Sequence, residues 1–227
     1  MGGSTTAFAR LGSMIGIIGG TGPEGRGLAL RFALAGQQVI LGSRSKASAD
    51  EAVSKILSKA PSSSVTAVLN ADAARMGEVV FIVVPYTAQR SILESLAGHL
   101  QGKIVVTAVV PVIVTGGVAS SVEIPDGSAA LEAQAILPLS EVVAAFHTVS
   151  ATDLWRSEDP IESDVVVCAN DRDASDTIFG LVESIPGLRA IDGGGLENAT
   201  YVERFTAFLL NINRRYKAHS AIKIVGI

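Results

Sequence analysis

The sequence predicts a doubly wound α/β fold, a mostly parallel sheet with helices on both faces, and three observations predict it. From Met14 onward short apolar runs alternate with helical stretches. Runs such as 79–84 carry apolar side chains at consecutive positions, which marks strands covered on both faces rather than on one. Hydrophobic residues make up 48% of the 227 positions and charged residues 18%, with a mean hydropathy of +0.42. That composition excludes a disordered chain.

Each element follows in order. Residues 14–19 read as a strand and 23–35 as a helix, with Pro23 in its first turn and Gly36 just past its end. Residues 38–42 form a second strand. The alanine-rich stretch 47–59 is a helix closed by Pro61, and 65–69 and 79–84 are the third and fourth strands. A helix over 88–100 and a strand over 103–110 follow. The glycine-rich segment 114–127 reads as a loop, 128–137 as a helix, 142–146 and 164–168 as strands, 174–184 as a helix and 188–191 as a last strand. The turn Asp192-Gly193-Gly194-Gly195 leads into the longest helix, 196–216, where Val202, Phe205, Phe208, Leu209 and Ile212 make one apolar stripe. That stripe suits a core or a homodimer interface, and no role is assigned to Glu203 or Asn211 on the same helix. The domain reading is a disordered leader (1–13), a dinucleotide-binding domain (14–139) and a smaller α/β C-terminal domain (140–227) that completes a cleft.

Composition also excludes partners. The 18 basic and 22 acidic residues give a net charge of −4, and no basic run could track a phosphate backbone, so nucleic acid is not an expected partner. One cysteine, Cys168, cannot form an internal disulfide or a cysteine metal cluster, and His99, His147 and His219 are too far apart for a metal-ligand pattern. Cys168 reads as a buried strand residue. The most apolar stretch, 104–119, is interrupted by Pro111, Gly116 and Gly117 and is too short to cross a membrane. The leader lacks the apolar core of a signal peptide, so the expected compartment is the cytoplasm.

The informative motif is Gly20-Thr21-Gly22-Pro23-Glu24-Gly25, a G-x-G-x-x-G that follows an apolar strand and opens a helix. In a Rossmann-type unit the first glycine makes the tight turn and the second lets a pyrophosphate approach the backbone. The third lets the helix lie on the strand. The helix N-terminus then holds the anion. An NAD site also needs an acid about 20 residues further on, at the end of the second strand. No Asp or Glu occurs between Glu24 and Asp50, and the place is taken by Gly42-Ser43-Arg44-Ser45-Lys46. A hydroxyl and two cations suit the 2′-phosphate of NADP.

At this point the chain resembles a known family, the NADPH-dependent reductases of the deazaflavin coenzyme F420. The resemblance rests on Gly19-Gly20-Thr21-Gly22, Gly25-Arg26-Gly27-Leu28-Ala29, Gly42-Ser43-Arg44, Val84-Pro85-Tyr86, Val110-Pro111-Val112, Phe146-His147-Thr148-Val149 and the helix from Leu196 to Ile212. It spans about Met14 to Ile224. It implies reversible hydride transfer between NADP(H) and F420. Carried onto this chain, Gly20, Thr21, Gly22, Pro23 and Glu24 hold the pyrophosphate, and Ser43 and Arg44 hold the 2′-phosphate. Pro85, Tyr86 and Arg90 line the NADP site, Val112 and Ala151 the nicotinamide, and Pro111, His147 and Val149 the deazaflavin. The family's basic residue four positions beyond the arginine is Ser48 here, with Lys46 as the nearby cation. Its tryptophan at the strand-four turn is Tyr86, and its proline after the His-Thr segment is Ser150.

The sequence offers no catalytic acid–base pair. Tyr86, Tyr201 and Tyr216 have no lysine four residues on, and no Gly-x-Ser-x-Gly elbow occurs. Two other readings stay open: an NADPH-dependent reductase of another small substrate, and a redox sensor that binds NADP without turnover.

Overall fold

The structure, a computed structural model, describes residues 13–227; all of the expected leader except Ser13 lies outside it. The N-terminal part runs β1 (Met14–Ile18), α1 (Pro23–Leu34), β2 (Gln38–Ser43), α2 (Lys46–Lys59), β3 (Val65–Leu69), α3 (Asn70–Met76), β4 (Val79–Ile82), α4 (Tyr86–Leu100) and β5 (Ile104–Thr107). Then come β6 (Val112–Thr115), β7 (Val118–Ser121), α5 (Ala129–Ile136), β8 (Glu141–Ala144), α6 (Ala151–Trp155), β9 (Ser163–Ala169), α7 (Arg172–Glu183), β10 (Leu188–Asp192) and α8 (Ala199–Tyr216).

Among the described residues an eight-stranded sheet has the order β10-β9-β8-β5-β4-β1-β2-β3. The six strands from β3 to β8 are mutually parallel; β9 joins β8 antiparallel, and β10 pairs with β9 in parallel. β1 pairs with β2 on one side (Ile15↔Val39) and β4 on the other (Ile15↔Val79), so the chain order reverses there. A ligand crevice opens at such a reversal, beyond the carboxyl ends of the strands.

Apolar residues at successive strand positions serve two cores. Ile15, Ile17 and Leu41 belong to one core with Leu28, Phe32, Ile56 and Ile178, whereas Ile18 and Ile40 belong to a second with Ala73, Leu93, Ala129 and Ala199. The first core takes residues from β1, β5, β8 and β9 alike. The expected boundary at 139/140 falls in the turn between α5 and β8, and strands on both sides of it join one sheet.

The segment expected to be a loop, 114–127, is instead largely the β6–β7 hairpin. Its two-residue turn, Gly116 (φ 59°) and Gly117 (φ 80°), needs left-handed backbone at both positions, which glycine supplies without strain. Val-Ile-Val-Thr and Val-Ala-Ser-Ser on either side are strand sequences, so Gly-Gly marks the turn of a hairpin. α3 and α6 were also not anticipated, being short and without an apolar repeat.

Two residues left without a role turn out to be structural. Glu203 on α8 accepts hydrogen bonds from the backbone N–H of Ala129 (2.8 Å) and Ala130 (3.0 Å), capping α5. Asn211 pins the hairpin by donating to Ala119 O and accepting from Ala119 N–H, both at 2.8 Å. Cys168 is buried on β9 as expected, and burial pushes its thiol up to about 11.

The chain end is stapled to β9. Asp164 accepts from Arg189 Nε (2.9 Å) and Nη2 (2.7 Å) and from the N–H of Ile224, while its own N–H donates to Ile222 O at 2.7 Å. Arg189 also donates to Ile224 O at 2.6 Å. The segment between α8 and this staple carries His219 and Ser220.

Candidate functional site

The first cleft grows from the turn after β1. Gly19 takes the left-handed conformation (φ 78°), so the tight turn lies one residue before its expected place at Gly20. Gly20 serves packing: a Cβ there would meet Leu41 Cγ at 2.6 Å. At Gly25 a Cβ would lie 2.7 Å from Gly20 Cα, so this glycine lets α1 cross the turn. At Gly22, the N-cap of α1, the nearest atom to an added Cβ is Gly19 O at 3.6 Å, which leaves open space over the helix N-terminus. Pro23 at the first helical position costs no hydrogen bond, and the N–H groups of that turn have no intrahelical acceptor. Such a cradle fits a pyrophosphate.

A cavity of about 410 Å³ lies against this turn, lined by Thr21, Gly22, Ser43, Arg44, Asn70 and Pro85 among others. Ser43, at the end of β2, is buried, and Arg44 beyond it is exposed. Arg44 has no ion-pair partner among the described residues, whereas Lys46 is paired with Asp50. The free guanidinium beside a buried hydroxyl fits a 2′-phosphate. Ser48 stands in the first turn of α2, where its N–H donates to Ser45 Oγ at 3.5 Å.

A second cleft, about 350 Å³, lies on the other side of the same helix end. Its lining includes Glu24, Val110, His147, Val149, Ala151 and Thr206. Phe146 sets the course of the chain into it. This residue adopts φ 68°, rare for a bulky side chain, and its buried ring packs edge-on against Phe32 (6.0 Å) and Phe81 (5.8 Å). Glu24 Oε1 and both ring nitrogens of His147 are buried and have no hydrogen-bond partner among the described residues. Burial alone pushes the Glu24 carboxyl up to about 8 and the His147 imidazole down to about 4. Buried polar atoms left unpaired cost about 1–3 kcal/mol each, which a polar ligand would offset.

α6 forms the wall beside Ala151, and Arg31 from α1 holds it. Its guanidinium donates to the backbone oxygens of Asp153 (2.7 Å), Leu154 (2.9 Å), Asp159 (3.0 Å) and Arg156. A Cβ at Gly27 would meet Leu154 Cβ at 2.6 Å, so α1 and α6 are in close contact.

Comparison with known proteins decides the kinship. Residues 14–111 match the family model described as NADP oxidoreductase, coenzyme F420-dependent. The chain is 40% identical over 220 residues to the F420-dependent NADP reductase of Methanothermobacter thermautotrophicus, covering 94% of this chain and 95% of that protein. It belongs to the F420-dependent NADP oxidoreductase family. The reductase of the same name from Methanocaldococcus jannaschii is 38% identical over 220 residues, covering 94% of this chain and 98% of that one. The fold is also that of a solved Arthrobacter sp. FB24 protein, with a TM-score of 0.79 at 22% identity over 95% of this chain and 99% of that one.

For a member of the F420-dependent NADP oxidoreductase family, the residues singled out in the sequence divide in three. Thr21, Gly22, Ser43, Arg44 and Pro85 meet at the first cleft; Glu24, His147, Val149 and Ala151 meet at the second. The remainder line neither. Tyr86 turns toward α5, where burial and then Glu132 raise its phenol. Arg90 reaches Glu132 at 2.9 Å, with Glu94 and Asp126 at 3.7 and 3.9 Å. Pro111 is buried after β5, and Val112 opens β6. Asn70 was missed. Its Oδ1 accepts from the N–H of Gly19 at 3.3 Å, tying the glycine turn to α3.

Proposed function

We propose that the protein transfers hydride reversibly between NADP(H) and coenzyme F420, with NADP in the first cleft and the deazaflavin in the second. The observation that carries this reading is that one helix turn contributes to both clefts, Gly22 lining one and Glu24 the other. The curated relatives bear the name F420-dependent NADP reductase, which supports the pairing.

When bound, the two cofactors supply the hydride chemistry, and the protein supplies position and electrostatics. The α1 N-terminus, including the Glu24 N–H, holds the pyrophosphate, while Ser43 and Arg44 hold the 2′-phosphate. Val149 and Ala151, small and apolar side chains in the lining of the second cleft, would border the ring-binding space and keep water from it. Alignment of this kind supplies roughly 7–11 kcal/mol of a barrier. Residues 14–139 provide the NADP side and 140–227 close the deazaflavin side.

The test is a label. With NADPH deuterated at the transferred position, deuterium is expected in the reduced deazaflavin and not in solvent, together with loss of the oxidised deazaflavin absorbance. Washout into water defeats direct transfer. NADPH binding with no reduction of the deazaflavin favours the sensor reading.

The same reading places the enzyme in the cytoplasm as a homodimer. Ile113 (57% exposed), Val114 and Val118 of the hairpin and Phe208 (56% exposed) of α8 leave apolar surface on elements pinned together by Asn211. No described helix is long and apolar enough to cross a membrane. Sedimentation should give a dimer that Phe208→Glu splits; a wild-type monomer contradicts it.

A further inference from the structure

Direct hydride transfer does not balance by itself. A hydride carries two electrons and one hydrogen to the carbon of the deazaflavin that accepts it, and a C–H bond breaks on the dihydronicotinamide. The electron pair displaced within the deazaflavin ends on a ring nitrogen, which takes a proton to complete the dihydro form. That proton comes from neither NADPH nor the ring. A group in the second cleft that holds a proton near neutral pH can supply it.

The titratable side chains lining that cleft are Glu24 on α1, His147 after β8 and His219 on the chain end; no Asp, Lys or Arg lines it. Arg26, further along α1, directs its guanidinium at the Trp155 ring, 5.6 Å away. His147 is buried, with neither nitrogen partnered among the described residues, and burial lowers its imidazole to about 4, so it is neutral at pH 7. His219 is exposed. Glu24 differs from both: the residue is part-buried, and its Oε1 is buried with no partner among the described residues although it sits in the first turn of a helix, where the dipole ordinarily favours an anionic carboxylate.

We propose that the Glu24 carboxyl is the proton donor of the second cleft, giving up its proton as the deazaflavin is reduced and recovering one when the reaction runs backward. This rests on the assignment of the deazaflavin to that cleft. The O–H bond of Glu24 breaks, an N–H bond forms on the deazaflavin ring, and the carboxylate is reprotonated from solvent after product leaves. The carboxyl, held up to about 8 by burial, is protonated over the range in which the reaction needs a donor. A neutral carboxyl also places no negative charge beside the pyrophosphate cradle.

Infrared difference spectra of the ligand-free protein test the protonation directly. Wild type should show a protonated carboxyl C=O band that titrates near pH 8 and is absent in Glu24→Gln. Absence of that band in wild type at pH 7 overturns the proposal. The kinetic arm follows reduction of F420 by NADPH between pH 6 and 9. Wild type should lose rate through a limb near pH 8. Glu24→Gln should turn over about a hundredfold more slowly, with that limb gone. Glu24→Asp should recover part of the rate and a shifted limb, which a merely structural role would not produce. Deuterium should still pass from NADPH to the ring in Glu24→Gln. Wild-type turnover with an unchanged rate and limb in Glu24→Gln overturns the donor alone. Wild type that binds NADPH but never reduces F420 overturns the functional reading as well.

Discussion

At the scale of single residues the cofactor preference turns on Arg44. Among the described residues its guanidinium has no ion-pair partner, while its neighbour Lys46 is held by Asp50, so Arg44 is available to meet a 2′-phosphate. Arg44→Ala is expected to weaken NADPH binding by ~1.5–3 kcal/mol, the range for hydrogen bonds to charged groups, and to leave NADH nearly unchanged. Calorimetric titration of both nucleotides checks this, and equal losses would contradict it. Ser43 and Arg44 were legible because they are adjacent in sequence and in register with the glycine turn. Asn70 was not, because the N–H it serves lies 51 positions away and only the closed sheet brings them together. Tyr86 and Arg90, expected to line the NADP site, are not among the residues lining the first cleft, for a related reason. Family position predicts which turn a residue occupies, but Glu132, from the distant α5, captures the Arg90 guanidinium.

At the scale of elements, the turn from β1 into α1 makes two glycines experimentally separable. Gly22→Val should leave the fold intact, because its Cβ meets nothing nearer than 3.6 Å, yet should abolish dinucleotide binding by filling the phosphate space. Gly25→Ala should damage the fold itself, since its Cβ would fall 2.7 Å from backbone. Circular dichroism melts run beside nucleotide titrations distinguish the two; a folded Gly22→Val that still binds NADPH would remove the phosphate from this turn. The strands buried on both faces were legible from their unbroken apolar runs. The hairpin was hidden because Ile113, Val114 and Val118 are exposed, so no alternation of buried and exposed positions advertises β6. Its own signal was the Gly-Gly pair.

Across the whole molecule, buried acids give stability an unusual pH dependence. Burial pushes Glu203 up to about 7, against the pull of the N–H groups of Ala129 and Ala130. A carboxyl whose folded pKa lies above its unfolded value of 4.5 takes up a proton on folding. Its stabilising contribution is complete below pH 4.5 and is lost as pH rises toward 7, a change on the order of 2–3 kcal/mol. Melting of the ligand-free protein between pH 4.5 and 7 should therefore show a falling midpoint. Glu203→Gln should start from a lower baseline, having lost one acceptor at the α5 cap, and should flatten that slope. A slope unchanged in the variant assigns the effect elsewhere. The doubly wound sheet was legible at this scale, including the strands of its C-terminal half. The joining of strands on both sides of 139/140 into one sheet was not, since sequence shows a change of rhythm there and not which strand the next one will join.

The staple at Asp164 gives the second cleft a rim of fixed span. Between Tyr216, where α8 stops, and Ile222, where Asp164 takes hold of the chain, the backbone is anchored at both ends, and His219 and Ser220 ride on the stretch between. The number of residues in that stretch, more than the identity of any one of them, then acts as a ruler for the opening. Removing one would draw the rim toward α8, and adding one would let it bow outward.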